Sequence, residues 1–171
     1  MASLDAIDSD RFRAVLGSYP TGVAIVTSRD ALGAPLGMVV GTFTSVSLDP
    51  PLVAFLPMKS SRTFEIMRAS SSTFCVNVLA ADQEDTCNTF AAAGRDKFAG
   101  LPWRPSPKGN PVIDGAVAWI DCEYANVVDG GDHYIVLGGV VAMQLERDTP
   151  ALLYFQRCYG YFVTNPVVGS T

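Results

Sequence analysis

The chain has 171 residues, of which 49% are hydrophobic and 17% charged, with a formal net charge of −5. That composition supports one domain with a sizeable core and excludes a disordered chain. The acidic balance, without any basic run, argues against a nucleic-acid partner, and no apolar stretch exceeds strand length, so no membrane span is expected.

Mean hydropathy is positive, which predicts apolar surface covered in a homodimer. Met1-Ala2-Ser3-Leu4-Asp5 carries an acid and no apolar core, so a secretory leader is not expected and the cytoplasm is the expected location. Cys75, Cys87, Cys122 and Cys158 form no Cys-x-x-Cys pair, and with one histidine in the chain no metal site is expected. Cys75 and Cys122 fall in apolar strand patterns and read as buried thiols.

In chain order, Asp8-Ser9-Asp10 offers an N-cap, and Phe12, Val15, Leu16 and Tyr19 recur at helical spacing, predicting a helix over 9–18. Residues 23–27 are a continuous apolar run, the pattern of a strand buried on both faces. A turn at 29–33 returns into a strand over 34–43, and a third strand over 52–56 follows Asp49-Pro50-Pro51. A helix begins near Phe64, a strand covers 73–79, and a helix runs from Asp82 to Gly94 with Cys87, Phe90 and Ala91 as its inner stripe. Residues 101–111, with four prolines and Trp103, read as an irregular packed loop. A long strand over 116–128 sets Ile120, Cys122 and Tyr124 opposite Asp121 and Glu123. It turns through Asp129-Gly130-Gly131-Asp132 into a strand over 133–141. A short strand over 152–155 and Tyr159-Gly160-Tyr161-Phe162 end the ordered part, with a loose tail beyond.

Six or seven strands with three short helices predict a mainly β (α+β) fold, an antiparallel barrel with helices outside. No repeat or linker divides the chain, so one domain over 1–171 is expected, with an ordered core over about 9–162.

Three clusters of chemistry stand out. In the first, the strand Met38-Val39-Val40 breaks at Gly41, where a missing Cβ permits unusual dihedrals and close ligand approach, and Thr42, Thr44, Ser45 and Ser47 then supply hydroxyls beside Phe43 and Val46. Exposed backbone, hydroxyls and an apolar wall suit a flat, polar-edged aromatic ligand; the plain alternative is a half-exposed sheet edge. The second is Lys59-Ser60-Ser61-Arg62-Thr63 at a helix start, an anion cradle that Arg95 and Lys97 could also reach; the plain alternative is an ordinary capped helix. The third is His133, the single imidazole, either a structural hydrogen-bonder or a donor at the edge of a substrate pocket. There is no Gly-x-Gly-x-x-Gly, P-loop or Gly-x-Ser-x-Gly elbow, and a Ser-His-Asp triad would have only His133 as its base.

Taken together, the sequence resembles the short-chain flavin reductases, the reductase components of two-component flavin-dependent monooxygenases. The likeness runs from about Phe12 to Phe162. It rests on Pro20-Thr21-Gly22-Val23, Phe43-Thr44-Ser45-Val46-Ser47-Leu48-Asp49-Pro50-Pro51-Leu52, Ser60-Ser61-Arg62-Thr63, Val76-Asn77-Val78-Leu79, Asp96-Lys97-Phe98-Ala99-Gly100 and Gly131-Asp132-His133. The resemblance implies an FMN-binding split barrel that holds FMN or FAD at a homodimer interface. It implies reduction of flavin by NADH or NADPH and delivery of reduced flavin to a partner monooxygenase. By position it implies that Val39, Val40, Gly41, Thr42 and Ser45 line the isoalloxazine ring. Ser60, Ser61, Arg62 and Thr63 would hold the phosphate together with Lys59, Lys97 and Phe98, and His133 would stand where nicotinamide meets flavin. Two positions depart from the family pattern: Gly41-Thr42 where many members have Asn-Ser, and Gly139 where an arginine often stands.

The expected function is therefore an NAD(P)H:flavin oxidoreductase; the alternative is a flavin-binding carrier or sensor of the same fold without an efficient hydride site. The choice between FMN and FAD is open. For the extra phosphate of NADPH, Arg104, Lys108 and Arg157 are candidates.

Overall fold

The computed structural model describes residues 8–94 and 96–163. Helix α1 (Ser9–Leu16) is capped by Asp8, whose carboxylate accepts the Arg11 N–H at 2.7 Å, and it buries none of its own residues. Strands β1 (Thr21–Gly22), β2 (Ala24–Arg29), β3 (Pro35–Val40), β4 (Thr44–Leu48) and β5 (Pro51–Phe55) follow. Helix α2 (Arg62–Ser70), β6 (Thr73–Val78) and helix α3 (Glu84–Ala91) come next. The short β7 (Trp103–Pro105) and β8 (Pro111–Ile113) precede the long β9 (Ala118–Gly130) and β10 (His133–Leu145). The hairpin of β11 (Leu153–Phe155) and β12 (Cys158–Gly160) closes the order.

Seven strands form one sheet in the order β3-β2-β6-β9-β10-β5-β4, with every pairing antiparallel. Its two edge strands, β3 and β4, are joined by only Gly41, Thr42 and Phe43. A sheet whose opposite edges are so tied must curl into a barrel. Strand β2 is buried on both faces, as its apolar run predicts. Ala24 and Val26 point into the barrel with Phe55, Phe64, Met67 and Phe74, while Val23 and Ile25 point outward against Leu79, Phe90, Ile113 and Leu152. Inside, Phe55 meets Phe64 and Phe74 edge-on, with centroids 5.9 and 5.2 Å apart. Burying each such side chain contributes about 1.5–3 kcal/mol. A Cβ on Gly138 would lie 2.4 Å from the Phe74 ring, so β10 needs glycine where it crosses this cluster.

Several elements differ from expectation. The described residues hold twelve strands, not six or seven, because two small sheets, β1-β11-β12 and β7-β8, stand beside the seven-stranded one. Residues 101–111 are not an irregular loop: β7 and β8 pair from Trp103–Ile113 to Pro105–Pro111. The cause lies beneath them. Asp121, on the face opposite Ile120, Cys122 and Tyr124 as its alternation predicts, is fully buried and accepts the Lys108 N–H and an Asn110 Nδ2–H, each at 2.8 Å. Residues 44–48 form an edge strand, so the plain reading of these hydroxyls as a sheet edge holds there. Helix α1 ends two residues early, α3 begins at Glu84, and Ala91 is exposed rather than part of an inner stripe. Strand β10 runs on to Leu145, past the expected end at 141. The β9–β10 turn narrows to Gly131 and Asp132, with Gly131 at φ 77°. The expected loose tail lies outside the described residues from 164 onward.

Candidate functional site

Strand β3 carries the first cluster. As an edge strand it pairs only with β2, so alternate backbone groups along its outer side have no partner strand. Val39 and Gly41 face outward, and with Val40 they line a pocket of about 330 Å³ that Thr21, Val23, Cys87, Tyr154 and Tyr159 complete. Gly41 does not use a left-handed dihedral, contrary to the sequence reading. Its role is close approach: a Cβ there would lie 3.0 Å from the Thr21 hydroxyl. Cys87 sits 3.3 Å from the Tyr159 hydroxyl. Burial pushes its thiol up, so it lines the pocket as a small apolar group rather than a nucleophile.

Further back on the same outer face, a second pocket of about 230 Å³ is lined by Gly37, Thr63, Asp96, Lys97 and Phe98. Gly37 and Gly41 are about 13 Å apart along the strand at roughly 3.3 Å per residue. Lys97 is half-buried, and its Nζ reaches only the Gly37 carbonyl, at 3.5 Å. Burial alone pulls its pKa below the ordinary lysine value. A partly desolvated ammonium with no carboxylate partner among the described residues fits an anion. Thr63 belongs to the first turn of α2, whose free N–H groups favour the same charge. Ser61 is occupied as the N-cap, accepting the Phe64 N–H at 3.3 Å. Ser60 and Arg62 are exposed beside it.

The third cluster gathers at the β9–β10 turn. His133 Nδ1 lies 2.7 Å from Asp132 Oδ1. The hydrogen bond from His133, then its charge, holds the Asp132 carboxyl below its usual range. With Nδ1 so engaged, Nε2 accepts in the neutral ring and donates in the protonated one. Lys59 belongs to this cluster and not to the α2 cradle: its N–H donates to the Asp132 carbonyl at 2.9 Å, and its Nζ pairs with Asp129 at 2.8 Å. No serine hydroxyl among the described residues bonds His133, so the triad is incomplete.

Thr42 links the clusters. Its hydroxyl accepts the Leu56 N–H at 3.0 Å, and two residues on, Met58 pairs with His133. The turn after β3 is thereby fastened to the segment that carries His133. Ser45 lies exposed on edge strand β4 and lines neither pocket. Gly139 has open space where a side chain would stand, its nearest atom being the Glu123 carbonyl at 4.0 Å. Sequence reasoning missed Tyr154, Tyr159 and Cys87 as pocket walls. Only the β11–β12 hairpin and the register of α3 bring them to β3, and no local pattern marks them.

Among the described residues no group of side chains is arranged to hold a metal ion, and no helix is long and apolar enough to cross a membrane. A flavin reductase from Pseudomonas putida is 54% identical over 158 residues, covering 92% of each chain. The crystal structure of nitrilotriacetate monooxygenase component B from Mycobacterium thermoresistibile superposes with a TM-score of 0.88 at 42% identity, covering 98% of this chain and 92% of that one. The Streptomyces globisporus NADH:FAD oxidoreductase SgcE6, in complex with NAD and FAD fragments, gives a TM-score of 0.87 at 34% identity, covering 99% and 100%. Residues 16–162 match the flavin reductase like domain, and the chain belongs to that family.

Proposed function

We propose that the chain is an NAD(P)H:flavin oxidoreductase that reduces FMN or FAD and passes the reduced flavin to a partner monooxygenase. The observation that carries this reading is Lys97: a half-buried cation in no ion pair among the described residues, one flavin's length along the β3 edge from the apolar pocket at Gly41. When bound, the flavin supplies the hydride acceptor. The protein holds and orients, which is why no strong acid–base pair is needed. Val39, Val40, Gly41 and Thr42 form the wall for the ring, and the free backbone groups of β3 meet its polar edge. Thr63, Lys97 and the α2 N-terminus hold the phosphate, with Ser60 and Arg62 at its rim. His133, fixed by Asp132, orients the nicotinamide.

The same relatives support the partner, since one is component B of a monooxygenase. The exposed apolar residues of α1 (Phe12, Val15, Leu16), with Tyr19, Met143 and Leu145, support a homodimer. We take the whole chain to act as one domain in the cytoplasm. Reduced nicotinamide is made there, and four free cysteines, three of them buried, suit a reducing compartment.

The test is oxidation of NADH or NADPH by the purified protein with and without added FMN or FAD. Saturation with added flavin is expected, with a Lys97→Ala variant needing more FMN to saturate. Flavin binding without any nicotinamide oxidation would leave only a carrier.

A further inference from the structure

The sulfur atoms of the chain are unequal before an oxidant. Burial pushes the thiols of Cys75, Cys87 and Cys122 up, which keeps them protonated and unreactive. A methionine thioether needs no deprotonation, so its exposure decides. Met67 is fully buried, and Met38 packs against the barrel core. Met143 is 70% exposed but belongs to the apolar face assigned above to the homodimer. Met58, at 51%, stands outside that face.

The backbone places Met58 beside His133. The Lys59 N–H donates to the Asp132 carbonyl and the Tyr134 N–H to the Pro57 carbonyl, each at 2.9 Å. These bonds flank the antiparallel bridge between Met58 and His133 and leave that pair itself unbonded. In such a pair the Cα atoms approach to about 4.5 Å, and the side chains stand together on one face. On its other side His133 faces Gly130, which has no side chain, so Met58 is its one cross-strand neighbour among the described residues. Nδ1 of the imidazole is held by Asp132 at 2.7 Å, which leaves Nε2 to meet a ligand.

We propose that Met58 is an oxidation site through which hydrogen peroxide slows the use of the hydride donor. When no oxygenase takes the reduced flavin, dioxygen accepts two electrons and two protons from it and becomes hydrogen peroxide. The sulfur lone pair of Met58 attacks one peroxide oxygen. The O–O bond breaks, an S–O bond forms, and the second oxygen leaves as water after proton transfer. Sulfur is oxidised by two electrons, and the peroxide is reduced by two. The sulfoxide sets a polar acceptor where an apolar thioether stood. Its oxygen competes for Nε2 of a protonated His133 and draws water to the edge that a nicotinamide would cover. Sulfoxide reductases reverse the change, so the site registers surplus reduced flavin and recovers. The inference rests on the reading of His133 as the group that orients nicotinamide.

The experiment treats the purified protein with hydrogen peroxide, then follows FMN-dependent NADH oxidation and, by peptide mass spectrometry, oxygen gained at Met58. One added oxygen is expected there. The kcat/KM for NADH should fall about fivefold, the scale of one lost sulfur–aromatic contact, with FMN affinity within about twofold of the untreated protein. Methionine sulfoxide reductase should restore the rate. Met58→Leu, of similar volume, should keep its own untreated rate after peroxide, whereas Met143→Leu and a Cys158→Ser change at the exposed thiol should lose activity as the parent does. Met58→Gln, with a polar oxygen at the end of its side chain, should show the slower rate without peroxide. During aerobic turnover with excess FMN the same oxygen should appear at Met58, and catalase should prevent it. A Met58 that stays unoxidised overturns the proposal, as does a Met58 sulfoxide with unchanged kcat/KM or a Met58→Leu variant as sensitive as the parent. NADH oxidation by the untreated parent and by His133→Ala tests the reductase reading and the role of His133 separately, so their failure is distinguishable from failure at Met58.

Discussion

The back of the sheet and its β3 edge solve opposite problems with similar residues. Under the β7–β8 hairpin, every polar group of the buried set Thr27, Asn77, Asn110 and Asp121 has a protein partner. The Asn77 amide nitrogen lies 3.1–3.3 Å from Thr27 Oγ1, the Ile25 carbonyl and the Pro111 carbonyl, and its oxygen accepts the Ile113 N–H at 2.8 Å. At the β3 edge, Lys97 is half-buried with one long contact, and strand backbone is left unpaired. A region whose hydrogen-bonding groups satisfy one another specifies a fold. A region that leaves them waiting specifies a ligand.

That contrast can be broken in four ways. The largest effect is expected from Asn77→Ala, which strands the Ile113 N–H in the interior. It should cost about 3 kcal/mol and lower Tm by roughly 8 °C, while FMN affinity stays within about twofold; thermal melts and flavin quenching read both. An unchanged Tm would mean that the hairpin is held by something else. Lys97→Ala should do the reverse, with Tm unchanged or slightly higher and FMN dissociation rising about tenfold, the scale of one charge-assisted contact. Fluorescence titration would expose an error if FMN bound the variant as tightly as the parent. Asp132→Asn should lower turnover about threefold, within the range of an exposed charge pair, without altering flavin affinity; a flavin affinity that falls in step with turnover would place the pair in flavin binding instead.

The smallest effect concerns acid. Glu146 accepts the Trp119 Nε1–H at 2.6 Å and pairs with Arg104; first the Trp119 hydrogen bond, then Arg104, holds its pKa below the ordinary 4.5. Its folded pKa is depressed, so its stabilisation is present above the unfolded value and fades as pH falls through the folded one. Glu146→Gln should therefore flatten the loss of stability below about pH 4.5 and leave flavin binding unaltered at neutral pH. Denaturant midpoints measured from pH 6 to pH 3 decide it, and parallel slopes in parent and variant would reject the assignment.

The strands of the barrel were legible where burial is symmetric or a turn is obligatory. Residues 23–27 read as β2 because both of its faces are covered, and Gly131 marks the β9–β10 turn because its φ of 77° is one that glycine takes freely. The β7–β8 hairpin was illegible because its cause is Asp121, whose partners Lys108 and Asn110 are met only in three dimensions. The three clusters of site chemistry could be read by residue type, yet their boundaries could not. Lys59 adjoins Ser60 in sequence, but its backbone hydrogen bond to Asp132 carries it to the His133 cluster. Lys97 joins Thr63 only because Phe98 packs beneath β3 against Phe90.

The three residues between β3 and β4 carry a last consequence. From Val40 to Thr44 the chain can span at most about 15 Å, at roughly 3.8 Å per Cα step. Gly41 and Thr42 thus sit on the seam where the sheet meets itself, and the Thr42–Leu56 hydrogen bond stitches it at that point. The wall of the pocket at Gly41 is therefore held by covalent chain, whereas the facing wall, Tyr154 and Tyr159, belongs to a separate three-stranded sheet. A visitor seated there lies between one side that the backbone tethers and another that only packing holds.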